Sequence, residues 1–285
     1  MTALPLDHLV VNTRFETTRA AALFTQLGFT LTPRGRHAMG SVNHLMVFQN
    51  DYLELIGLPE DGGPLRQEVL ENPAGIDGLV FQTDDADAVH AALSAQGEKL
   101  QPLHAFSRPL ELDGATYEAS FRVTRFQSGE FEAGRVYFCQ HLTPELIWRK
   151  AWQQHANTAT SLAGMLLVSR QAPADAERYA RIAQGSARVL ADGSFHIEGA
   201  TYHLGVVTPE QYAARYGDLA CEALDRSSFF GAIAIRLRDF GALEHALKGA
   251  GEAIAQRRVG GRILVQLKGF NTLLEFVTGD DAFEG

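Results

Sequence analysis

A glutamate set among apolar residues recurs along the chain at strand-like spacing. It appears in Tyr52-Leu53-Glu54-Leu55-Ile56, in Pro144-Glu145-Leu146-Ile147-Trp148 and in Leu273-Leu274-Glu275-Phe276-Val277. Residues two apart on a strand share a face, so Glu54 lies beside Tyr52 and Ile56, and Glu145 beside Ile147. Burying an unpaired carboxylate costs several kcal/mol, so such a group needs a cation, a metal or several hydrogen-bond donors. His8, on a strand face with Leu6, Val10 and Asn12, is a partner of suitable type. His141 stands in the short connection leading to Glu145, close enough for both side chains to reach one centre. Imidazoles and carboxylates without cysteine suit a borderline or hard divalent ion such as Zn, Fe, Mn or Ni. Two imidazoles and one carboxylate also leave positions open for a bidentate substrate. The plainer alternative is a rim glutamate paired with arginine or backbone amides. Recurrence at equivalent places favours the site.

The elements that must position these groups repeat. Residues 6–13 read as a strand, 16–27 as a helix stopped by Gly28, and 29–32, 43–48 and 52–56 as strands. A second unit has a strand at 76–83, a helix at 86–96 and late strands at 135–140 and 144–148. The third has a strand at 162–169, a helix at 174–182 and a strand pair within 194–207 around Gly199. The fourth has a strand at 232–237, a helix at 240–247 and strands at 262–266 and 272–277. Four βαβββ units imply an α+β protein of two domains, 1–153 and 158–285, with the polar stretch 153–160 as junction. Within the series His8 is matched by Gly78, Gly164 and Gly231. His37 and His44 flank a Gly/Ser-rich turn and are expected to be exposed, though either could reach the site. The second unit carries extra chain between Leu100 and Gly134, rich in phenylalanine and arginine. It either completes the sheet as an extended hairpin or covers a substrate, with Arg122 or Arg125 holding an anionic group.

Composition narrows the rest. The 285 residues carry 25 basic and 34 acidic side chains, a net charge of −9, and no basic cluster, which argues against nucleic acid as partner. Neither a secretory leader nor an apolar run of bilayer length is evident, so the expectation is a cytoplasmic protein without membrane contact. The partner expected is a small-molecule substrate or ligand, with room for a homodimer. Phosphate-loop, dinucleotide, zincin and nucleophile-elbow motifs are missing from the sequence. Cys139, on an alternating strand, reads as a packed core thiol rather than a nucleophile.

The repeat, the opening Asp7-His8-Leu9-Val10-Val11 and the strand Leu53-Glu54-Leu55-Ile56 resemble the vicinal oxygen chelate superfamily. That superfamily holds glyoxalase I, extradiol dioxygenases, fosfomycin resistance enzymes and bleomycin-binding proteins. Gly28-Phe29, Gly40-Ser41-Val42-Asn43-His44 and the segment from Phe138 to Glu145 are similar to its glyoxalase-like domain group. The resemblance implies cup-shaped mixed sheets, each built from two units, with metal ligands on first and last strands, here His8, Glu54, Gly78 and Glu145. Gly78 departs from the ligand set, and His141 could replace it. In the second half only Glu275 remains. The implied activity is that of a metal-dependent lyase or isomerase, the ion stabilising an enediolate-like oxyanion and Glu145 acting as base. Alternatives on the same scaffold are a metal-free sequestering protein and a ring-cleaving dioxygenase.

Overall fold

The computed structural model describes residues 3–279 and 282–283. Its first half forms β1 (Leu6–Arg14), α1 (Thr17–Gln26), β2 (Gly35–His37), β3 (Ser41–Val47), β4 (Tyr52–Gly57), α2 (Gln67–Glu71), β5 (Gly75–Gln82), α3 (Ala86–Ala95), β6 (His104–Leu112), β7 (Ala115–Arg125) and β8 (Arg135–His141). The eight strands make one mixed sheet in the order β2-β3-β4-β1-β5-β8-β7-β6. β1 runs parallel to β4 and antiparallel to β5, and β5 runs parallel to β8, so two equivalent units meet at the β1–β5 seam. The edge strands β2 and β6 come together, curling the sheet almost into a barrel.

The second half repeats the plan with β9 (Ala159–Ser169), α4 (Ala172–Ile182), β10 (Ala187–Val189), β11 (Phe195–Glu198), β12 (His203–Val207), α5 (Pro209–Tyr216), β13 (Ser228–Leu237), α6 (Gly241–Leu247), β14 (Ile254–Val259), β15 (Arg262–Leu267) and β16 (Thr272–Val277). Its order is β10-β11-β12-β9-β13-β16-β15-β14. The α+β class and the two cups agree with the repeat read from sequence. Two expected strands do not form. Residues 29–32 are irregular, and the chain reaches the sheet edge only at β2; residues 144–146 make a 3₁₀ turn.

Strand alternation separates two cores. Leu9, Val11, Leu53, Leu79 and Phe138 point outward to α1 and α3 and to the back of the second sheet, where Leu167, Phe230 and Phe276 join the same cluster. Val10, Leu45, Val47, Val80, Phe121 and Val123 line the inside of the first cup. Central strands buried on both faces explain the near-continuous apolar runs of β1 and β5.

A bulge sits at the same place in all four units. Pairing of β1 with β5 skips Asp7 on one strand and Asp77 on the other; pairing of β9 with β13 skips Ala163 and Gly231. The register therefore matches His8 with Gly78, Gly164 and Ala232, correcting the expected Gly231. A bulge leaves one residue unpaired and re-aims its side chain. In the first domain both bulged residues are aspartates.

Candidate active site

The Asp7 bulge turns a carboxylate toward the imidazole that follows it. Asp7 Oδ1 lies 2.5 Å from His8 Nδ1, and Asp7 Oδ2 lies 2.9 Å from His141 Nε2. Burial alone would raise the Asp7 pKa, but His141 and then His8 outweigh it and hold the carboxyl well below the usual range. An ionised Asp7 can only accept, so His8 Nδ1 and His141 Nε2 are donors. His8 Nε2 is thereby left facing the cup, 2.9 Å from the Tyr137 hydroxyl and 3.8 Å from Glu54 Oε2. The ring is clamped flat on Tyr52, at 4.3 Å between centroids and 13° between planes.

Glu54 faces inward from β4 and is buried. Its Oε1 accepts from Asn43 Nδ2 at 2.6 Å, which leaves Oε2 on the cavity side. Burial pushes its pKa up, yet His8, His37 and the Asn43 bond together bring it below the ordinary value. Tyr137 occupies the register position of Glu54 in the second unit, since Val10 pairs with Glu54 and Val80 with Tyr137. Its phenol is pushed upward by burial and then by Glu54, so it remains a donor. His8, Glu54 and Tyr137 thus converge on one open pocket of about 790 Å³ including its mouth. Phe106, Phe121, Val123, Arg66 and Arg108 complete much of its wall.

The expected residues separate on this geometry. His8 and Glu54 come together. His141 contacts Asp7 and so braces His8 from behind, instead of joining Glu54. Glu145 is corrected: it lies exposed on the 3₁₀ turn and does not line the pocket, because β8 ends at His141 and no strand follows. Arg122 is corrected too. On β7 it alternates outward and pairs with Asp87 at 2.6 Å, whereas Arg125, on the inward face, lines the pocket and reaches Glu68 at 3.5 Å. The extra chain 100–134 both completes the sheet and walls the cavity, as the β6–β7 hairpin. His37 lines the pocket, while His44 turns to the carbonyl of Thr32.

Asp7, Asn43, Tyr52 and Tyr137 were not singled out from sequence. Tyr137 is hidden in the sequence by one strand of register: residues 135–140 read as the next-to-last strand of the unit, whereas β6 and β7 take the intervening positions and β8 is the last. A Cβ on Gly78 would meet Val10 Cγ2 at 2.6 Å, so packing fills the place of the missing ligand. Donor atoms of Asp7, Cys139 and His141 also lie within 4.8 Å of one another. Burial, then Asp7 and Glu54, push the Cys139 thiol well above its ordinary value, which removes it as a nucleophile.

In the second cup the corresponding positions are Gly164, Gly205, Ala232 and Glu275. Its interior is packed with Tyr212 and Tyr216 of α5, Leu219 and Phe283. Glu275 accepts from Tyr216 Oη at 2.9 Å, Arg262 Nη1 at 3.1 Å and the Phe283 amide at 2.6 Å. Among the described residues, side chains of this half fill the interior of its own cup.

Two bulged βαβββ units closing a cup around strand-borne donors define a protein of the vicinal oxygen chelate type. The chain belongs to the glyoxalase-like domain family, whose model matches residues 6–183. No functionally curated protein matches it. Among solved structures it is similar to a hypothetical protein from Staphylococcus aureus, at 12% identity and TM-score 0.66, covering 96% of this chain and 98% of that one. It is also similar to a mutant 4-hydroxymandelate synthase from Streptomyces coelicolor, at 12% identity and TM-score 0.54, covering 97% and 92%. A fusion of a xylose isomerase-like TIM barrel with 4-hydroxyphenylpyruvate dioxygenase matches at 12% identity and TM-score 0.59, covering 96% of this chain and 49% of that one. These likenesses establish the fold.

Proposed function

We propose that the first cup holds a divalent metal and acts on a small substrate with adjacent oxygens, as a lyase or isomerase of the glyoxalase-like kind. The observation that carries this reading is the carboxylate–histidine pair: Asp7 fixes the Nδ1 proton of His8 and presents Nε2 to the cavity opposite Glu54 Oε2. Histidines that ligate metals characteristically donate their other ring N–H to such a partner. The donors fit the group: one imidazole, one carboxylate kept ionised and one phenol, all hard or borderline, suit Zn, Fe, Mn or Ni. His8 and Glu54 would hold the ion with Tyr137 beside them, leaving the remaining positions to substrate oxygens. When bound, it supplies Lewis-acid stabilisation of negative charge on those oxygens.

The chain's own groups do the remaining work. Burial, opposed by Glu54 and aided by Arg108 and Arg66, lowers the His37 pKa to about 4. His37 therefore stays neutral near pH 7. Its Nδ1 is engaged with Ser41 Oγ at 2.9 Å, and Nε2 is the atom left to take a proton from substrate carbon. Phe106 and Phe121 exclude water from one wall.

Proton exchange between a carbon-bound hydrogen of a small 2-hydroxy or 2-oxo acid and D₂O, followed by NMR, tests the reading. Exchange by metal-loaded wild type, lost in His8→Ala and slowed in His37→Gln, supports it. Equal exchange in wild type and His8→Ala would overturn it.

A further inference from the structure

Arg108 points into the first cup from β6 and is only 3% exposed. Among the described residues it makes no hydrogen bond and no ion pair; burial disfavours its charge, and Glu54 and then Tyr52 favour it only from a distance across the cavity. The other arginines of the pocket are matched: Arg66 and Arg125 both reach Glu68, at 2.8 and 3.5 Å. Holding a guanidinium out of water without an anion is costly. The fold nevertheless keeps space for it, since a Cβ on Gly35 of the opposite edge strand would come within 2.8 Å of Arg108 Nη1. Beside it stands a flat apolar wall. Phe106 stacks on Phe121 at 5.2 Å and 24°, and on His104 at 5.6 Å and 18°.

We propose that Arg108 is the anchor for an anionic group of the substrate, a small organic acid whose flat apolar body lies along Phe106 and Phe121. Its carboxylate supplies the missing partner, matching the planar guanidinium with two parallel hydrogen bonds. The far end of such a molecule then faces His8 and Glu54. Only that last placement rests on the proposed metal centre; the anchor stands on Arg108 itself.

The test compares 3-phenylpropanoate with its uncharged isostere 3-phenylpropanamide by calorimetry, on EDTA-treated protein in which no metal can hold the carboxylate. Wild type is expected to bind the acid about tenfold more tightly than the amide, as a charge-assisted pair should. Arg108→Gln is expected to lose that preference and Arg122→Gln to keep it. Without ligand, Arg108→Met is expected to melt at or above the wild-type temperature, because it removes an unmatched buried charge. Equal or absent binding of acid and amide to wild type overturns the proposal, as does a preference surviving in Arg108→Gln. An Arg108→Met variant melting well below wild type also overturns it, marking an arginine kept for the fold. Metal titration of the same proteins keeps the two readings apart. If only the metal reading fails, the acid preference persists without a bound ion; if only the anchor fails, wild type binds metal but shows no preference.

Discussion

Replacing Asp7 by asparagine would leave its shape and remove the charge that fixes two imidazoles. The amide can offer an N–H to His8 Nδ1, which reverses the ring and turns Nε2 into a donor. Loss of such a supporting carboxylate characteristically costs 10–100-fold in metal affinity. Asp7→Asn is therefore expected to weaken divalent-ion binding by roughly that factor in an equilibrium titration while melting as a folded protein. Asp51 offers a second single-residue test. It is buried, accepts from the Leu162 amide at 2.9 Å, and burial lifts its pKa to about 7 against the opposing Leu162 bond and Arg236, with Asp7 adding to the rise. The fold keeps this proton where the unfolded chain, with an ordinary value of about 3.9, has released it. Stability from this group is thus lost as pH rises from about 4 through about 7. Asp51→Asn keeps an acceptor for Leu162 and should raise the denaturation midpoint at pH 8, the gain vanishing near pH 4. A gain of equal size at both values would contradict this account.

At the scale of elements, the bulges and the hairpin decide which side chains meet. Asp7 and Asp77 reach inward only because each is the skipped residue of the β1–β5 seam. Asp77 uses its position to hold Arg135 at 2.8 Å and Asn72 at 2.6 Å. Gly78→His would add an imidazole at the position matching His8, but its Cβ would strike Val10 Cγ2. It should lower the melting temperature without tightening metal binding. The same elements show how far the sequence could be read. The helices α1, α3, α4 and α6 and the central strands follow hydrophobic periodicity, and strand alternation turns His8 and Glu54 to one side, so these are legible; α2 and α5 lie in stretches that the repeat does not call for. A bulge shifts register by one residue without leaving a pattern, which is why the sequence points to Gly231 where the structure gives Ala232 as the counterpart of His8. Glu145 misled for a related reason. Ile147, two residues on, mimics strand alternation, yet it and Trp148 pack beside a 3₁₀ turn against the inner core of the cup. Arg108 lies within the extra chain of the second unit, but its lack of a contacting carboxylate, with Glu54 acting on it only across the cavity, is a property of three-dimensional packing.

For the whole molecule, two equivalent cups have diverged into an open one and a filled one, backed against a common core. The unequal histidine and glutamate content of the halves already suggested this division; α5 and Phe283 supply its physical means. Glu275→Ala would strand Tyr216 and Arg262 in that interior. Removing one partner of a buried ion pair costs about 3–5 kcal/mol, so the variant should unfold at markedly lower denaturant. Its metal content should not change. The metal centre proposed for the first cup is tested by the ion content of the purified protein. Protein purified without added metal is analysed by plasma mass spectrometry, alongside His8→Ala and Glu54→Ala. About one divalent ion per chain in wild type, lost from both variants, is the expected result. No stoichiometric ion in wild type, with both variants as stable as wild type, would contradict it.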